Sequence, residues 1–334
     1  MTDSRMTVSR RRAIGSFALA ASSFGFARSS SNASEPHVSR LSRIQLGLVA
    51  DVHQDIIHDG YARITSFISD MVQRKPDAIL QLGDFALPRR RNQPFLDVWN
   101  SFDGDRYHVL GNHDMRDLGF KREQTMEWWG MKSRYYSFDV GGWHFVVLDG
   151  NDPNPGRWSG YVRYIGEEQR EWLEADLRQT SAPTIVFSHQ QLESDSGIAN
   201  SGEVREILEN ANQEAARTKV IACFCGHHHT DKLTEIAGIR YIHINSMSYK
   251  WVGGNNARLR FPKHIEETYS NVKKTVPYQD PLYTVLTLDP DSMTMGLEGR
   301  STSFVPPSPS EMRLPNAEQM KSQISSRTLR VSLG

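Results

Sequence analysis

The sequence predicts an α/β fold with parallel strand pairing, and three observations carry that expectation. Short apolar runs without alternation, such as Ile44 to Ala50 and Ala78 to Leu82, have the pattern of strands buried on both faces. Between them Ile64, Phe67, Ile68, Met71 and Val72 recur at helical spacing, so a helix over Tyr61 to Arg74 separates two strands and argues for a parallel crossover. The third observation is that five apolar runs end in polar residues able to do chemistry. In open α/β sheets, ligands sit beyond the carboxyl ends of the strands.

The remaining elements follow in order. Pro76 ends the first helix. Pro88 opens a loop carrying Arg89, Arg90 and Arg91, which reads either as a solvated face or as a phosphate clamp. Gln93 to Ser101 is a short helix, Tyr107 to Leu110 a strand, and Lys121 to Gly130 a helical stretch with Trp128 and Trp129. Tyr135 to Val140 and Trp143 to Leu148 flank Gly141-Gly142, a two-residue hairpin signal. Asn151 to Gly166 is a loop. Glu167 to Gln179 is an amphipathic helix, Thr184 to Ser188 a strand, Gly202 to Arg217 a helix and Lys219 to Cys225 a strand. Asp231 to Ile236 and Arg240 to Ile244 pair across Ala237-Gly238. Ser246 to Pro281 reads as a long irregular insertion, and Tyr283 to Leu288 with Met293 to Leu297 as a final hairpin. The Ser/Pro-rich segment 301–334 is expected to be a poorly ordered tail.

The 334 residues are enough for a sizeable core, and nothing in the composition suggests disorder. The zero formal charge conceals an asymmetry, because residues 1–28 carry a net +4 and leave −4 for the rest. A mildly acidic body is a poor attractor for nucleic acid, so none is expected as a partner. Residues 1–33 read as an export signal, with Ser9-Arg10-Arg11-Arg12 before the apolar stretch Ala13 to Ala27. The arginines resemble the twin-arginine signal, which implies an exported, periplasmic or extracellular protein. Residues 34–42 form a linker, and the main domain spans 43–300. No later run reaches the ~18 apolar residues of a membrane span. Cys223 and Cys225, two apart on one strand, point to one face and are badly placed to bridge each other. They are two small buried residues or, with the histidines that follow, a zinc pair.

The five polar strand ends are Asp51-x-His53, Gly83-Asp84, Gly111-Asn112-His113-Asp114, His189, and Gly226-His227-x-His229. Singly each is weak. Together, in this order and at helix-sized spacing, they resemble the full signature of the calcineurin-like metallophosphoesterases, over Ile44 to Leu297. The resemblance implies a four-layer α/β/β/α sandwich of two mixed sheets with flanking helices, and two divalent metal ions at its edge. It implies that Asp51, His53 and His229 hold one ion, that Asn112, His189 and His227 hold the other, and that Asp84 bridges them. Mixed nitrogen and oxygen donors suit manganese, iron or zinc. Purple acid phosphatases place a tyrosine three residues after the bridging aspartate; here that position is Leu87, so a purple ferric site is not expected.

Activity and substrate follow as expectations of the same resemblance. It implies hydrolysis of phosphate esters, a metal-bridging hydroxide attacking phosphorus while His113 assists the leaving group. Asp114 would orient the His113 imidazole and keep it protonated. His228 lies between two ligands and points the other way if the segment is extended. Trp128, Trp129, Trp158, Tyr161, Tyr164, Trp251 and Tyr269 lie outside strands, where they cap the core or stack on a nucleobase, and Arg258 and Arg260 can take a second phosphate. These loops favour phosphodiesters, diphosphates or nucleotides as small-molecule substrates. Cyclic-nucleotide phosphodiesterase or phosphomonoesterase activity is the alternative on the same site, although an exported enzyme would rarely meet cAMP. A non-catalytic binding protein is a third reading, since fold alone does not decide function.

Overall fold

The computed structural model describes residues 40–115, 119–156 and 160–332. The expected export signal over 1–33 and residues 34–39 of the expected linker lie outside these, as does Trp158. The chain enters through β1 (Ile44–Val49), α1 (Gly60–Arg74), β2 (Ala78–Gln81), α2 (Gln93–Asn100) and β3 (Asp105–His108). It continues through α3 (Arg122–Trp129), the hairpin β4 (Tyr136–Val140) and β5 (Trp143–Leu148), α4 (Glu167–Gln179) and β6 (Thr184–Ser188). Next come α5 (Ser201–Glu214), β7 (Val220–Cys225), β8 (Lys232–Ile236) and β9 (Ile239–His243). Both α4 and β6 begin and end where the sequence pattern places them.

Two six-stranded mixed sheets result. The first has the order β3, β2, β1, then β12 (Thr284–Asp289), β13 (Thr294–Leu297) and β16 (Arg327–Arg330). Its β1–β2 and β2–β3 pairs are parallel and the other three antiparallel. The second has the order β4, β5, β6, β7, β9, β8, parallel from β5 to β9 and antiparallel at both edges.

The period of two along each strand sorts the apolar runs into layers. Leu46, Leu48 and Leu80 meet Phe145, Phe187 and Phe224 between the sheets. Their neighbours Val49 and Ile79 face α1 and α2 through Ile64, Phe67, Phe95 and Trp99. On the second sheet Val146, Val186 and Cys223 face α4 and α5 through Leu173, Leu177, Val204 and Leu208. This is the four-layer α/β/β/α sandwich. Each fully buried Leu or Phe contributes about 1.5–3 kcal/mol, so the doubly covered strands are the stable frame on which the loops stand. Both cysteines are free and buried.

Two expectations are corrected. Residues 301–332 are not a loose tail. They form β14 (Arg300–Ser301), β15 (Gln323–Ile324) and β16, and bury Ile324 and Val331 in the core. β13 would otherwise be an edge with an open ladder, and β16 satisfies it. Asp231 accepts from Ser325 N–H and the Arg327 guanidinium, which pins the returning chain. The insertion 246–281 is not irregular either. It holds β10 (Tyr249–Trp251) paired with β11 (Thr275–Pro277), and α6 (Lys263–Thr268). Tyr249 and Val272 pack with Ile56 and Ile57, which ties the insertion to the loop after β1. No helix among the described residues is long and apolar enough to cross a membrane.

Candidate metal centre

Five loops leave the C-terminal ends of β1, β2, β3, β6 and β7, and each delivers side chains to one place. The chain turns abruptly off these strands. Asp51, His53, Asp84, His227 and His229 all have φ between 47° and 65°. That left-handed region is unfavourable for side-chain-bearing residues, at a cost of order 1–3 kcal/mol each, and it persists only where neighbours over-determine it. Here they do: Asp51 N–H donates to Gly83 O, His53 N–H to Asp84 O and His227 N–H to Asp51 Oδ2. The Ser246 hydroxyl holds Asp51 O, and the Ser248 hydroxyl holds Val52 O.

Two donor groups result, Asp51 with His53 and His229, and Asp84 with His189 and His227, each with its donor atoms within 4.8 Å of one another. In the first, His229 Nε2 lies 3.2 Å from both Asp51 Oδ1 and His53 Nε2. In the second, His189 Nε2 lies 3.1 Å from Asp84 Oδ2 and 3.2 Å from Asn112 Oδ1 and from His227 Nδ1. Asp84 Oδ2 is also 3.5 Å from His53 Nε2, so one carboxylate oxygen faces both groups. Its other oxygen accepts the His113 N–H at 2.7 Å.

The donor chemistry fits cations. His189 and His229 give Nδ1–H to Leu82 O and Tyr249 O, which leaves the Nε2 lone pairs pointing inward. Lone pairs 3.2 Å apart repel unless a positive charge lies between them. Nitrogen and oxygen donors in these numbers match a divalent transition metal in each group.

Residues 44–231 match the family model of the calcineurin-like phosphoesterases. The chain belongs to that family. Among solved structures it is similar to a dimetal phosphatase from Danio rerio, at 16% identity over 78% of this chain and 98% of the other, with a TM-score of 0.55. It is similar also to GAP50, described as the anchor in the inner membrane complex of Plasmodium, at 15% identity over 87% of this chain and 89% of the other, with a TM-score of 0.50. At such identities the likeness shows the fold alone. No curated protein matches the chain by sequence.

The electrostatics of this calcineurin-like centre follow from burial and from Asp84. Burial, with the nearby histidines, holds His53 and His227 well below the ordinary imidazole range, so both are neutral, the form that ligates. Burial works against charge on His189 too, but the Asp84 carboxylate outweighs it and raises His189 to about 9. Asp84 is depressed in return: burial opposes its charge, but His189 favours it. Without a cation, a proton on His189 is therefore the counter-charge of Asp84.

The expected ligands Asp51, His53, Asp84, Asn112, His189, His227 and His229 thus converge. His113 is exposed, its ring 5.4 Å from that of His53. His228 stays outside both groups, its carbonyl bonded by Lys250 Nζ. Asp114 departs from expectation. Its carboxylate accepts N–H from Asp84 and Gly111 at 2.8 Å and from Phe85 at 2.7 Å, so it ties the β2 and β3 loops together instead of orienting the His113 ring. Burial, with the adjacent Asp84 charge, pushes its pKa up.

The loop candidates divide. Arg89 and Arg91 pair with Asp55, and Arg260 bonds Pro307 O. Trp129 is buried in the core, and Tyr269 packs with the insertion. Trp251 is 43% exposed, one ring removed from the centre through Tyr249, which lies 5.1 Å from His53. Tyr249, Ser246 and Ser248 were not singled out from sequence. Their signal was available, since they follow β9, one more strand of the second sheet.

Proposed function

We propose that this protein is a metal-dependent hydrolase of phosphate esters, with phosphodiesters or diphosphates, including nucleotides, as its substrates. The observation that carries the reading is the Asp84 oxygen shared between two complete donor groups. Two cations held there would supply Lewis acidity to a phosphoryl oxygen and lower the pKa of a water between them. Asp51, His53, Asp84, Asn112, His189, His227 and His229 would hold and space them. His113, exposed beside the first group, donates a proton to the departing alkoxide as the phosphorus–oxygen bond breaks, and water supplies the new oxygen on phosphorus. His113 is exposed beside His53, and the exposed Trp251 is one ring away from it through Tyr249, which supports an aromatic or extended leaving group over a simple monoester.

The test assays bis-p-nitrophenyl phosphate, a nucleoside diphosphate sugar, p-nitrophenyl phosphate and cAMP side by side, with manganese, iron or zinc. The expected result is preference for the first two and loss of all activity on chelation. Preference for the monoester overturns the substrate class. Cleavage of cAMP above the rest selects the cyclic-nucleotide reading. The anchor described for GAP50 motivates a non-catalytic alternative, and silence of the cation-loaded protein on every substrate would select it. The complete donor set argues for the enzyme.

The arginine-bearing N-terminus supports export by a twin-arginine route, which suits a protein that loads metal before crossing a membrane. Replacing Arg10, Arg11 and Arg12 by Lys is expected to retain the protein inside the cell. Unchanged export excludes the route.

A further inference from the structure

His227 presents a different nitrogen from the other histidines of the centre. His189 and His229 hand Nδ1 to main-chain carbonyls and face the donors with Nε2, as His53 does. His227 is reversed. Its Nδ1 lies 3.2 Å from His189 Nε2, and its Nε2 points away, to the Tyr161 hydroxyl at 2.5 Å. The two rings meet edge-on, with centroids 5.2 Å apart and planes at 63°.

We propose that Tyr161 is a positioning residue for the second cation: its phenol oxygen accepts Nε2–H of His227, keeps the lone pair on Nδ1, and fixes the ring where that lone pair meets Asp84 and His189. The inference rests on the metal-dependent reading above. The physical reason is tautomer choice. A neutral imidazole carries one proton on either nitrogen, and only the unprotonated nitrogen ligates. An acceptor on the outer nitrogen decides which, and such partners of ligating histidines are worth about 10–100-fold in metal affinity. For His189 and His229 the main chain supplies the acceptor. For His227 it comes from a loop side chain.

Tyr161 is placed to do this. It lies between β5 and α4, and the residues after it are anchored. Tyr164 N–H donates to Gly150 O, Asp152 N–H donates to Tyr164 O, and Ala199 N–H donates to Arg163 O. The hydroxyl is thereby directed at His227 and the centre.

The experiment uses the full chain and Tyr161→Phe, both stripped by chelator and dialysis, then titrated with cobalt(II). Affinity is read by competition with a chromogenic chelator, and geometry by visible absorption of the bound cobalt. The expected result is two sites in the parent. In the variant one site is weakened about 10–100-fold with altered absorption, the other is unchanged, and the melting temperature of the cation-free protein is kept. Two unchanged affinities and an unchanged spectrum overturn the proposal. So does equal weakening of both sites with a lowered melting temperature, which would mean Tyr161 only supports the fold. A parent that binds two cations but cleaves no phosphoester sinks the hydrolase reading and leaves this one standing.

Discussion

The two donor groups are built from different material. Asp51, His53 and His229 come from two strand ends, all three are buried, and the loops that bear them are stitched by main-chain bonds and by Ser246 and Ser248. Asp84, Asn112, His189 and His227 come from four strand ends, and His227 is only half-buried and leans on a loop tyrosine. The first group is an extension of the core. The second is an assembly whose geometry depends on more independent parts. It follows that the first should hold its cation more tightly and that the second should respond more to loop changes.

The most damaging change should be Asp84→Asn, because it removes the charge common to both groups. Both affinities should fall by on the order of a hundredfold or more, with activity lost, as measured by elemental analysis and turnover. If only one cation were lost, Asp84 would not be shared. His113→Ala should separate chemistry from binding. Its N–H to Asp84 survives the substitution, so both cations should remain while kcat drops about 10²–10⁴-fold. A weaker metal content would make His113 part of the donor set.

Two glycines let the groups be disturbed one at a time. A Cβ on Gly226 would lie 2.3 Å from Asp51 Oδ2. On Gly83, at φ +92°, it would lie 2.5 Å from His189 Nδ1. Gly226→Ala should therefore weaken the first cation and Gly83→Ala the second, each by roughly tenfold or more, against a milder effect on the other. Identical effects from both would mean that the groups act as one.

A smaller effect is expected from pH. In the cation-free protein the raised His189 contributes stability that is complete below about 6.5 and lost as pH rises through about 9. The depressed Asp84 contributes above the ordinary carboxylate range and loses this only in more acid solution. The melting temperature should thus fall between pH 7 and 10, and Asp84→Asn should flatten that fall. Loading the second cation at neutral pH should release the His189 proton, measurable in a lightly buffered titration. The smallest effect should come from Arg327→Ala, which removes one bond to Asp231 while Ser325 N–H keeps another. About 1–2 kcal/mol of stability should be lost in denaturant unfolding, with both cations kept.

Much of this was readable along the chain. Unbroken apolar runs mark strands covered on both faces, because burial there spares no side, and the helix at Glu167 to Gln179 shows its period without help from neighbours. The seven side chains that converge were readable because strand ends are local features and the residue types are few. Asp114 was misread, because the direction of a side chain in a tight turn depends on what lies opposite, here the N–H groups of Asp84 and Phe85 from another loop.

The terminal segment shows the same division. Ser and Pro describe a chain with no structure of its own, and that description holds until β13 offers an unpaired edge, which no local pattern reveals. Residue identity by itself determined which atoms can hold cations and which stretches can be strands. Only the tertiary structure decided that Asp84 faces both groups, that Asp114 binds main chain, and that Tyr161 meets the outer nitrogen of His227. Those are relations between atoms 29 to 105 residues apart, and a hydrogen bond depends on distance and angle in space, not on spacing along the chain.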